Sequence, residues 1–206
     1  MRLKSIALLI SLAVSSFTAA AATEERLVSL PYPGNAPWQE VTNETQGKGW
    51  LRVQIPAGQK IETHRDILTL QAFPDHRETS PSIFLRSFFS RVKGSCEIVR
   101  FEGPEERMEG GRPVAYAQVY CDRQKGMDFG LNMFFKVIGG GDALYVMQRG
   151  FKVTPTGTAG LVGTATDPRL RPAPLSDGEI AARHYLDRSV YLCGGLSTDE
   201  RCSTRP

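Results

Sequence analysis

The strongest structural constraint in this chain is a pair of apolar runs on either side of one glycine-rich turn. In the first run, apolar side chains recur at every second position from Phe129 to Val137, the period of an extended strand with a buried face. The turn Gly139-Gly140-Gly141-Asp142 follows, and a second alternating run extends from Ala143 to Val153. Together they predict a long β-hairpin, which needs further strands or helices on its apolar face to be stable.

The opposite side of the first strand is expected to be mainly polar. It carries Asp128, Gly130, Asn132 and Lys136, with Phe134 and Ile138 as apolar exceptions. The glycine turn itself could suggest a phosphate-binding loop. Such a loop normally opens a helix and carries a lysine or spaced glycines, whereas a strand follows here, so a plain turn is favoured.

Alternation elsewhere predicts four more strands. They are Trp50–Ile55, Ile67–Phe73, Glu97–Phe101 and Pro113–Cys121. A charged loop, residues 102–112, is expected between the last two, and a helical start at Ile61 remains an alternative before the second. The segment Leu27–Leu30 is either a strand or an arm, followed by an irregular connection to Gly49.

Two helices are predicted from their end signals and apolar spacing. The first extends from an N-cap at Ser80 to Gly94, with Pro81 in its first turn and an aromatic face. The second opens with the capping box Ser176-Asp-Gly-Glu179 and is expected to continue to about Leu192.

These elements predict an α+β domain, an antiparallel sheet of about six strands packed by two helices and held by two disulfides. Residues 23–206 are expected to form one domain. The stretch 154–175 is rich in Thr, Gly and Pro without periodicity, and is expected to be a flexible loop.

The four cysteines, Cys96, Cys121, Cys193 and Cys202, predict two disulfides, for which three pairings exist. If Cys96 faces Cys121 across antiparallel strands, opposed residue numbers sum to 217. Ile98 then faces Val119 and Arg100 faces Ala117, which agrees with the position of the loop between the two strands. We therefore favour Cys96–Cys121 and, by elimination, Cys193–Cys202. No metal site is predicted, because no C-x-x-C pair or histidine at ligand spacing is present.

The N-terminus has the organisation of a secretory signal peptide over residues 1–22. Arg2 and Lys4 precede an apolar run from Ile6 to Val14, and Ala20-Ala21-Ala22 fits a cleavage site before Thr23. Cleavage removes two of 25 basic residues and none of the 22 acidic ones, which leaves a formal charge of +1. We expect a periplasmic or secreted protein, without nucleic acid as a partner and without a later transmembrane segment.

A first candidate site is His64, with Glu62 and Asp66 on the same side of an extended chain. Such a group is suited to acid–base chemistry, although a solvated polar run before a strand is the favoured interpretation. No nucleophile elbow, zinc-protease motif, phosphate loop or nucleotide fingerprint is present, and no cofactor is predicted.

A second candidate site consists of polar groups within apolar strands. Gln71 lies in one strand, and Arg149 follows Tyr145 on the apolar face of another. A buried guanidinium requires a partner, so Arg149 either lines a ligand pocket, pairs with a buried acid or reaches solvent at an edge.

The segments Ile61–Phe73 and Val137–Arg149, followed by the capped C-terminal helix, resemble those of exported proteobacterial proteins of unknown function over most of the mature chain. The order of elements is also similar to the α/β/α sandwich of small extrinsic photosystem proteins. That similarity concerns the fold and implies no shared activity or site residue.

The sequence favours an exported, non-catalytic protein that binds an envelope partner or a small ligand. The alternative is a periplasmic hydrolase that uses His64 and the neighbouring carboxylates, and a purely structural or stress-related role is a third hypothesis.

Overall fold

The computed structural model describes residues 24–31, 37–157, 161–162, 171–172 and 175–203. The predicted signal peptide and most of the predicted flexible loop lie outside these ranges. At the start of that loop, Asp122 accepts hydrogen bonds of 2.8 Å from the backbone N–H groups of Thr156 and Gly157. Residues 154–157 are therefore tied to the end of a sheet strand.

The strands and helices follow one another in this order: β1 (Arg26–Ser29), β2 (Trp38–Gln46), β3 (Gly49–Pro56), β4 (Asp66–Phe73), α1 (Pro81–Ser95), β5 (Val99–Glu109), β6 (Arg112–Cys121), β7 (Gly130–Gly139), β8 (Leu144–Val153), β9 (Leu161–Val162), β10 (Arg171–Pro172), α2 (Asp177–Arg188) and β11 (Val190–Cys193). Short 3-10 turns lie at Pro74–His76 and Glu200–Cys202. The α+β class is confirmed.

The main sheet contains seven strands in the order β2-β3-β4-β8-β7-β6-β5, and every neighbouring pair is antiparallel. The predicted meander from β5 to β8 and its central hairpin are present. The expected six strands become seven because β2 forms where an irregular connection was predicted. Separate antiparallel pairs join β1 to β11 and β9 to β10.

The sheet is covered on both faces, so the prediction of one buried face was wrong. On one face, α1 packs Phe84, Leu85 and Phe89 against the sheet. The sheet residues in that layer are Ala115, Ala117, Val119, Met133, Phe135, Val137, Leu144 and Val146. Ser80 and Pro81 begin this helix where predicted, although the Ser80 side chain makes no capping hydrogen bond.

On the other face, α2 and the β1–β11 pair cover a second core. Its main members are Leu68, Leu70, Phe134, Ile138, Tyr145, Met147, Tyr185, Leu186 and Leu192. The face of β7 that was expected to be mainly polar therefore lies under this layer. On it, Lys136 has a side-chain exposure of 0%. Phe134 and Ile138, the apolar exceptions to the alternation, belong to this core.

The second helix begins with the predicted capping box, in which Ser176 and Glu179 bond each other reciprocally. It ends at Arg188 and not near Leu192. Residues 190–193 instead form β11, which pairs with β1. Short apolar segments do not distinguish a buried helix end from a buried strand, and the partner strand lies more than 150 residues away in sequence.

The predicted register between β5 and β6 was also wrong. Paired residue numbers sum to 220 from Val99 to Glu102, so Val99 faces Cys121 and Phe101 faces Val119, and they sum to 221 beyond the bulge. Cys96 lies before the strand, in an isolated bridge with Gln124. Most of the predicted loop over residues 102–112 is strand, interrupted by a bulge at Gly103-Pro104.

Both favoured disulfides are confirmed. Cys96 joins Cys121 and Cys193 joins Cys202, each with Cα atoms 5.6 Å apart. The first ties the end of α1 to the end of β6, and the second closes the C-terminal tail onto β11. All four cysteines are bonded.

The aromatic face of α1 should carry most of the contribution of this helix to stability. Phe89 is 8% exposed and its ring stacks on Phe101 at 4.5 Å, whereas Ile83 on the same helix is 59% exposed. We expect Phe89→Ala to lower the free energy of unfolding by about 3–5 kcal/mol, because it leaves a cavity. Ile83→Ala should change it by less than about 0.5 kcal/mol. Urea unfolding of the oxidised protein tests this, and equal losses in both variants would contradict the packing.

Candidate functional site

The layer that covers the α2 face is narrower than the seven-stranded sheet beneath it. Helix α2 lies over β7 and β8, with β11 and β1 beside it. A depression remains on each side of this layer. We call the one between α2 and β5–β6 the α2 cleft, and the one between β1 and β2–β4 the tryptophan groove.

A buried lysine stands at the junction of the sheet and its covering layer. The Lys136 ammonium donates to Glu109 Oε2 at 2.7 Å and to the Val190 carbonyl at 2.8 Å. The Asp187 carbonyl lies 3.3 Å from the same nitrogen. All three donor positions of the ammonium are thereby used, which is the condition for a stable buried charge.

Glu109 connects this lysine to groups at the margin of the α2 cleft. Its Oε1 atom accepts hydrogen bonds from Tyr116 Oη at 2.6 Å and from Arg107 Nε at 2.5 Å. The Arg107 guanidinium also bonds Asp187 on α2 and stacks over the Tyr116 ring at 4.2 Å. Charged groups from β5, β7 and α2 therefore form one continuous cluster.

For Glu109 and Lys136, burial and ion pairing shift the pKa in opposite directions. Burial alone would raise the pKa of Glu109, but the hydrogen bond and charge of Lys136, with Tyr116 and Arg107, hold it below its usual value. Burial lowers the pKa of Lys136, and Glu109 opposes that effect. Burial and the bond to Glu109 raise the pKa of Tyr116, so its hydroxyl remains a donor.

The α2 cleft has a volume of about 400 Å³, within the usual range for small-molecule sites. Its floor is apolar and contains Phe134 and Leu186. One wall is the bulged part of β5, which presents Glu102 and Glu105; the other is α2, with Ile180, Arg183 and His184. Glu106 is paired with Ala115 and so points to the α1 face.

The two walls of the cleft are joined near each end. At one end Arg107 of β5 pairs with Asp187 of α2. At the other, the Gln118 amide lies with its nitrogen 3.2 Å from Glu102 and its oxygen 3.2 Å from Arg183 Nε, in the orientation that satisfies both groups. The bulge at Gly103 needs glycine, because a Cβ atom there would lie 2.7 Å from the Tyr116 carbonyl oxygen. These contacts fix the width of the cleft.

Of the predicted candidates, Arg149 and Asp66 are brought together as an ion pair in which the Arg149 side chain is buried and the Asp66 side chain is 21% exposed. Arg149 Nε donates to Asp66 Oδ1 at 2.7 Å, and its Nη2 bonds the other carboxylate oxygen. The guanidinium lies 4.1 Å from the centre of the Trp38 ring. Burial raises the pKa of Asp66 and Arg149 opposes this. Of the three roles considered for Arg149, pairing with an acid is the one seen.

His64 and Asp66 do not form an isolated acid–base pair. The His64 Nδ1 atom is hydrogen-bonded to the carbonyl of Ile61 in its own turn, and Asp66 is engaged by Arg149. Neither residue lines the α2 cleft or the tryptophan groove. A catalytic role for His64 stays a prediction.

The other two candidates lie on opposite faces of the sheet. Tyr145 faces the α2 layer and lines the tryptophan groove, with its hydroxyl 3.4 Å from Glu25 Oε2. Gln71 is paired with Val146 and so faces the α1 layer. One site cannot use both side chains directly, whereas Tyr145 and Arg149 share a face.

The glycine turn that resembled a phosphate loop binds a carboxylate of its own chain. Glu25 accepts hydrogen bonds from the backbone N–H groups of Gly141 at 2.7 Å and Asp142 at 3.0 Å, and pairs with Arg112. A Cβ atom at position 140 would lie 2.4 Å from Glu25 Oε2, so Gly140 permits this close approach. The turn therefore anchors the segment that leads into β1.

Sequence reasoning missed the α2 cleft because its residues come from distant segments without a shared motif. Lys136 was noted only as one residue of a polar strand face. The described residues contain no group of three or more His, Cys, Asp or Glu suited to a metal ion. In the same part of the chain, no helix has the length and apolarity to cross a bilayer.

Removing one partner of the buried pair should cost more than removing both. We expect Glu109→Gln to lower the free energy of unfolding by about 3–5 kcal/mol, because the Lys136 charge loses its counter-ion. Lys136→Met should cost less, since Glu109 keeps Tyr116 and Arg107 as donors. The double variant should be more stable than the sum of the two losses predicts. Urea unfolding of all four proteins measures the coupling, and additivity within about 0.5 kcal/mol would refute it.

The lowered pKa of Glu109 also predicts how stability depends on acid. Since the folded pKa lies below the usual 4.5, the unfolded chain binds more protons between the two values. The contribution of Glu109 is complete above the unfolded pKa and is lost as the pH falls through the folded one. We expect Glu109→Gln to flatten the acid limb of the stability–pH curve, whereas Glu44→Gln, on exposed edge strand β2, should not. An unchanged limb in Glu109→Gln would argue against the pairing.

In comparisons with known proteins, no family model, curated protein or solved structure matches this chain. The resemblance to exported proteins of unknown function therefore stays a prediction.

Proposed function

We propose that this protein is an exported, non-catalytic binding protein whose α2 cleft takes a small zwitterionic ligand, such as a free amino acid or a dipeptide. The observation that carries the proposal is the distribution of charge across the cleft. Carboxylates stand on the β5 wall, a guanidinium and an imidazole stand on the α2 wall, and apolar side chains form the floor between them.

The acidic wall suits an ammonium group. Glu105 is exposed and lines the cleft, and it forms no ion pair among the described residues. Glu102 adds a second carboxylate, although it is paired with Arg100. An ammonium ligand would gain charge-assisted hydrogen bonds here, which are stronger than neutral ones.

The basic wall suits a carboxylate. Arg183 is exposed on α2, and its Nε atom is oriented by the Gln118 amide. A guanidinium binds a carboxylate through two parallel hydrogen bonds, which fixes the direction of the ligand. An apolar ligand side chain would then lie on Phe134 and Leu186.

The groups with shifted pKa values support binding better than catalysis. Lys136, Glu109 and Tyr116 bond one another, and Arg107 and Asp187 bond each other across the walls. These contacts consume the hydrogen-bonding capacity that a general acid or base would need, and they make the cleft rigid before a ligand enters. A rigid site avoids the entropic cost of ordering on binding.

Export is proposed on the signal-peptide features of residues 1–22, and two disulfides are compatible with an oxidising compartment. Recovery of the chain from the periplasm with the mass of a protein that begins at Thr23 would support it. A cytoplasmic protein of full length would refute it.

Isothermal titration calorimetry of the mature, oxidised protein with free amino acids and dipeptides tests the ligand class. Each ligand that binds is compared with its N-acetylated and its C-amidated form, which lack one charge each. We expect either change to weaken binding by about tenfold or more, since each removes a charged hydrogen bond. Equal binding of a zwitterion and both blocked forms, or no binding across the panel, would overturn the proposal.

Matched variants locate the site. Glu105→Gln and Arg183→Gln should each weaken binding of the zwitterion by roughly tenfold. The first variant should affect the N-acetylated ligand least, and the second should affect the C-amidated ligand least, because each of these forms already lacks the charged group that the residue contacts. Arg91→Gln, an exposed arginine on α1 at the opposite face, serves as control and should bind as the wild type does. Equal effects of Arg91→Gln and Arg183→Gln would place the site elsewhere.

A further inference from the structure

The tryptophan groove is a second depression on the α2 face, separated from the α2 cleft by the covering layer. It has a volume of about 990 Å³ and lies between β1 and the floor formed by β2, β3 and β4. Both tryptophans of the chain, Trp38 and Trp50, line it and are half-buried. Indole rings gathered in one open groove present a large apolar contact area with a polar edge.

The groove is elongated along strand β3. Trp50, Arg52 and Gln54 alternate with inward-facing residues and therefore point to the same side. The distance along the strand from Trp50 to Gln54, a rise of four residues, is about 13 Å. Trp38 lies further along, opposite Pro56 in the register of β2 and β3. A ligand that touches both indoles is therefore a chain and not a single ring.

Both indole rings lie against an arginine. The Arg149 guanidinium lies 4.1 Å from the centre of the Trp38 ring, and that of Arg52 lies 5.4 Å from the centre of the Trp50 ring. Arg149 is itself fixed by Asp66. Cation–π contacts of this kind hold the rings in place, so that the aromatic surface exists before a ligand arrives.

The charge of the groove is positive. Among the residues that the structure describes, neither Arg26 on the β1 wall nor Arg52 on the floor forms an ion pair, and both are exposed. The acidic residue at the margin, Glu25, has a side-chain exposure of 2% and is engaged by Arg112 and the glycine turn. The groove therefore offers cations to a ligand while its carboxylate is occupied.

We propose that the tryptophan groove binds an acidic oligosaccharide. A sugar ring has an apolar C–H face, which packs on an indole, and a polar rim whose hydroxyl and carboxylate groups match the planar donors of Arg52 and Gln54. Successive rings along a chain match the indoles at its two ends. An acidic group on the sugar matches Arg26 and Arg52.

Intrinsic tryptophan fluorescence tests this directly, because both tryptophans lie in the groove. The probes are tetragalacturonate, the neutral maltotetraose and the acidic peptide tetraglutamate, each titrated into the mature protein. We expect a saturable fluorescence change with tetragalacturonate, weakening as salt is added, and binding at least tenfold weaker for the other two. Binding of maltotetraose or tetraglutamate with equal affinity, or no response to tetragalacturonate, would overturn the proposal.

Two exposed arginines supply the matched pair of variants. Arg52→Ala should weaken tetragalacturonate binding by roughly tenfold, as expected for the loss of one charged hydrogen bond. Arg91→Ala, on α1 at the opposite face, should bind as the wild type does. Trp50→Phe removes part of the fluorescence signal, so ligand binding to this variant is measured by calorimetry. We expect it to remain folded and to bind more weakly, because it loses an indole contact with the ligand. Wild-type affinity in both Arg52→Ala and Trp50→Phe would show that the groove is not the site.

Discussion

The structure depends on a single buried ammonium group at the point where sheet, helix and C-terminal strand meet. Lys136 is fully enclosed, and its three hydrogen bonds reach β5, the end of α2 and β11. An apolar residue at this position would bury as much surface but would not specify where the covering layer lies. The charge is costly to bury, and the cost is offset only when all three elements are in their native positions.

The two faces of the sheet have different roles. The α1 face is a continuous aliphatic and aromatic layer and stabilises the fold. The α2 face combines a core with the Lys136 cluster, the Arg149–Asp66 pair and both depressions. Because the covering layer is too narrow for seven strands, the described residues leave a depression on each flank of this face.

Local sequence patterns predicted those structural features that are determined by residues close together in the sequence. The central hairpin, the start of α1, the Ser176 capping box and both disulfides followed from turns, caps and cysteine positions. Strand β2 and the strand state of β11 did not, because their partners decide their conformation. The α2 cleft could not be predicted either. Glu105 and Arg183 come to line one depression only after the chain has folded, and nothing in the sequence around Lys136 indicated that it is buried. Arg149 was found because a charge in an apolar strand requires a partner.

The disulfides of this protein join consecutive cysteines, the first with the second and the third with the fourth. Their sequence separations are 25 and 9 residues. If the chain enters an oxidising space with its N-terminus first, each cysteine thiol meets its native partner before the thiols of later cysteines arrive. Oxidation in that order would give the native pairs directly, without reshuffling of mispaired bonds.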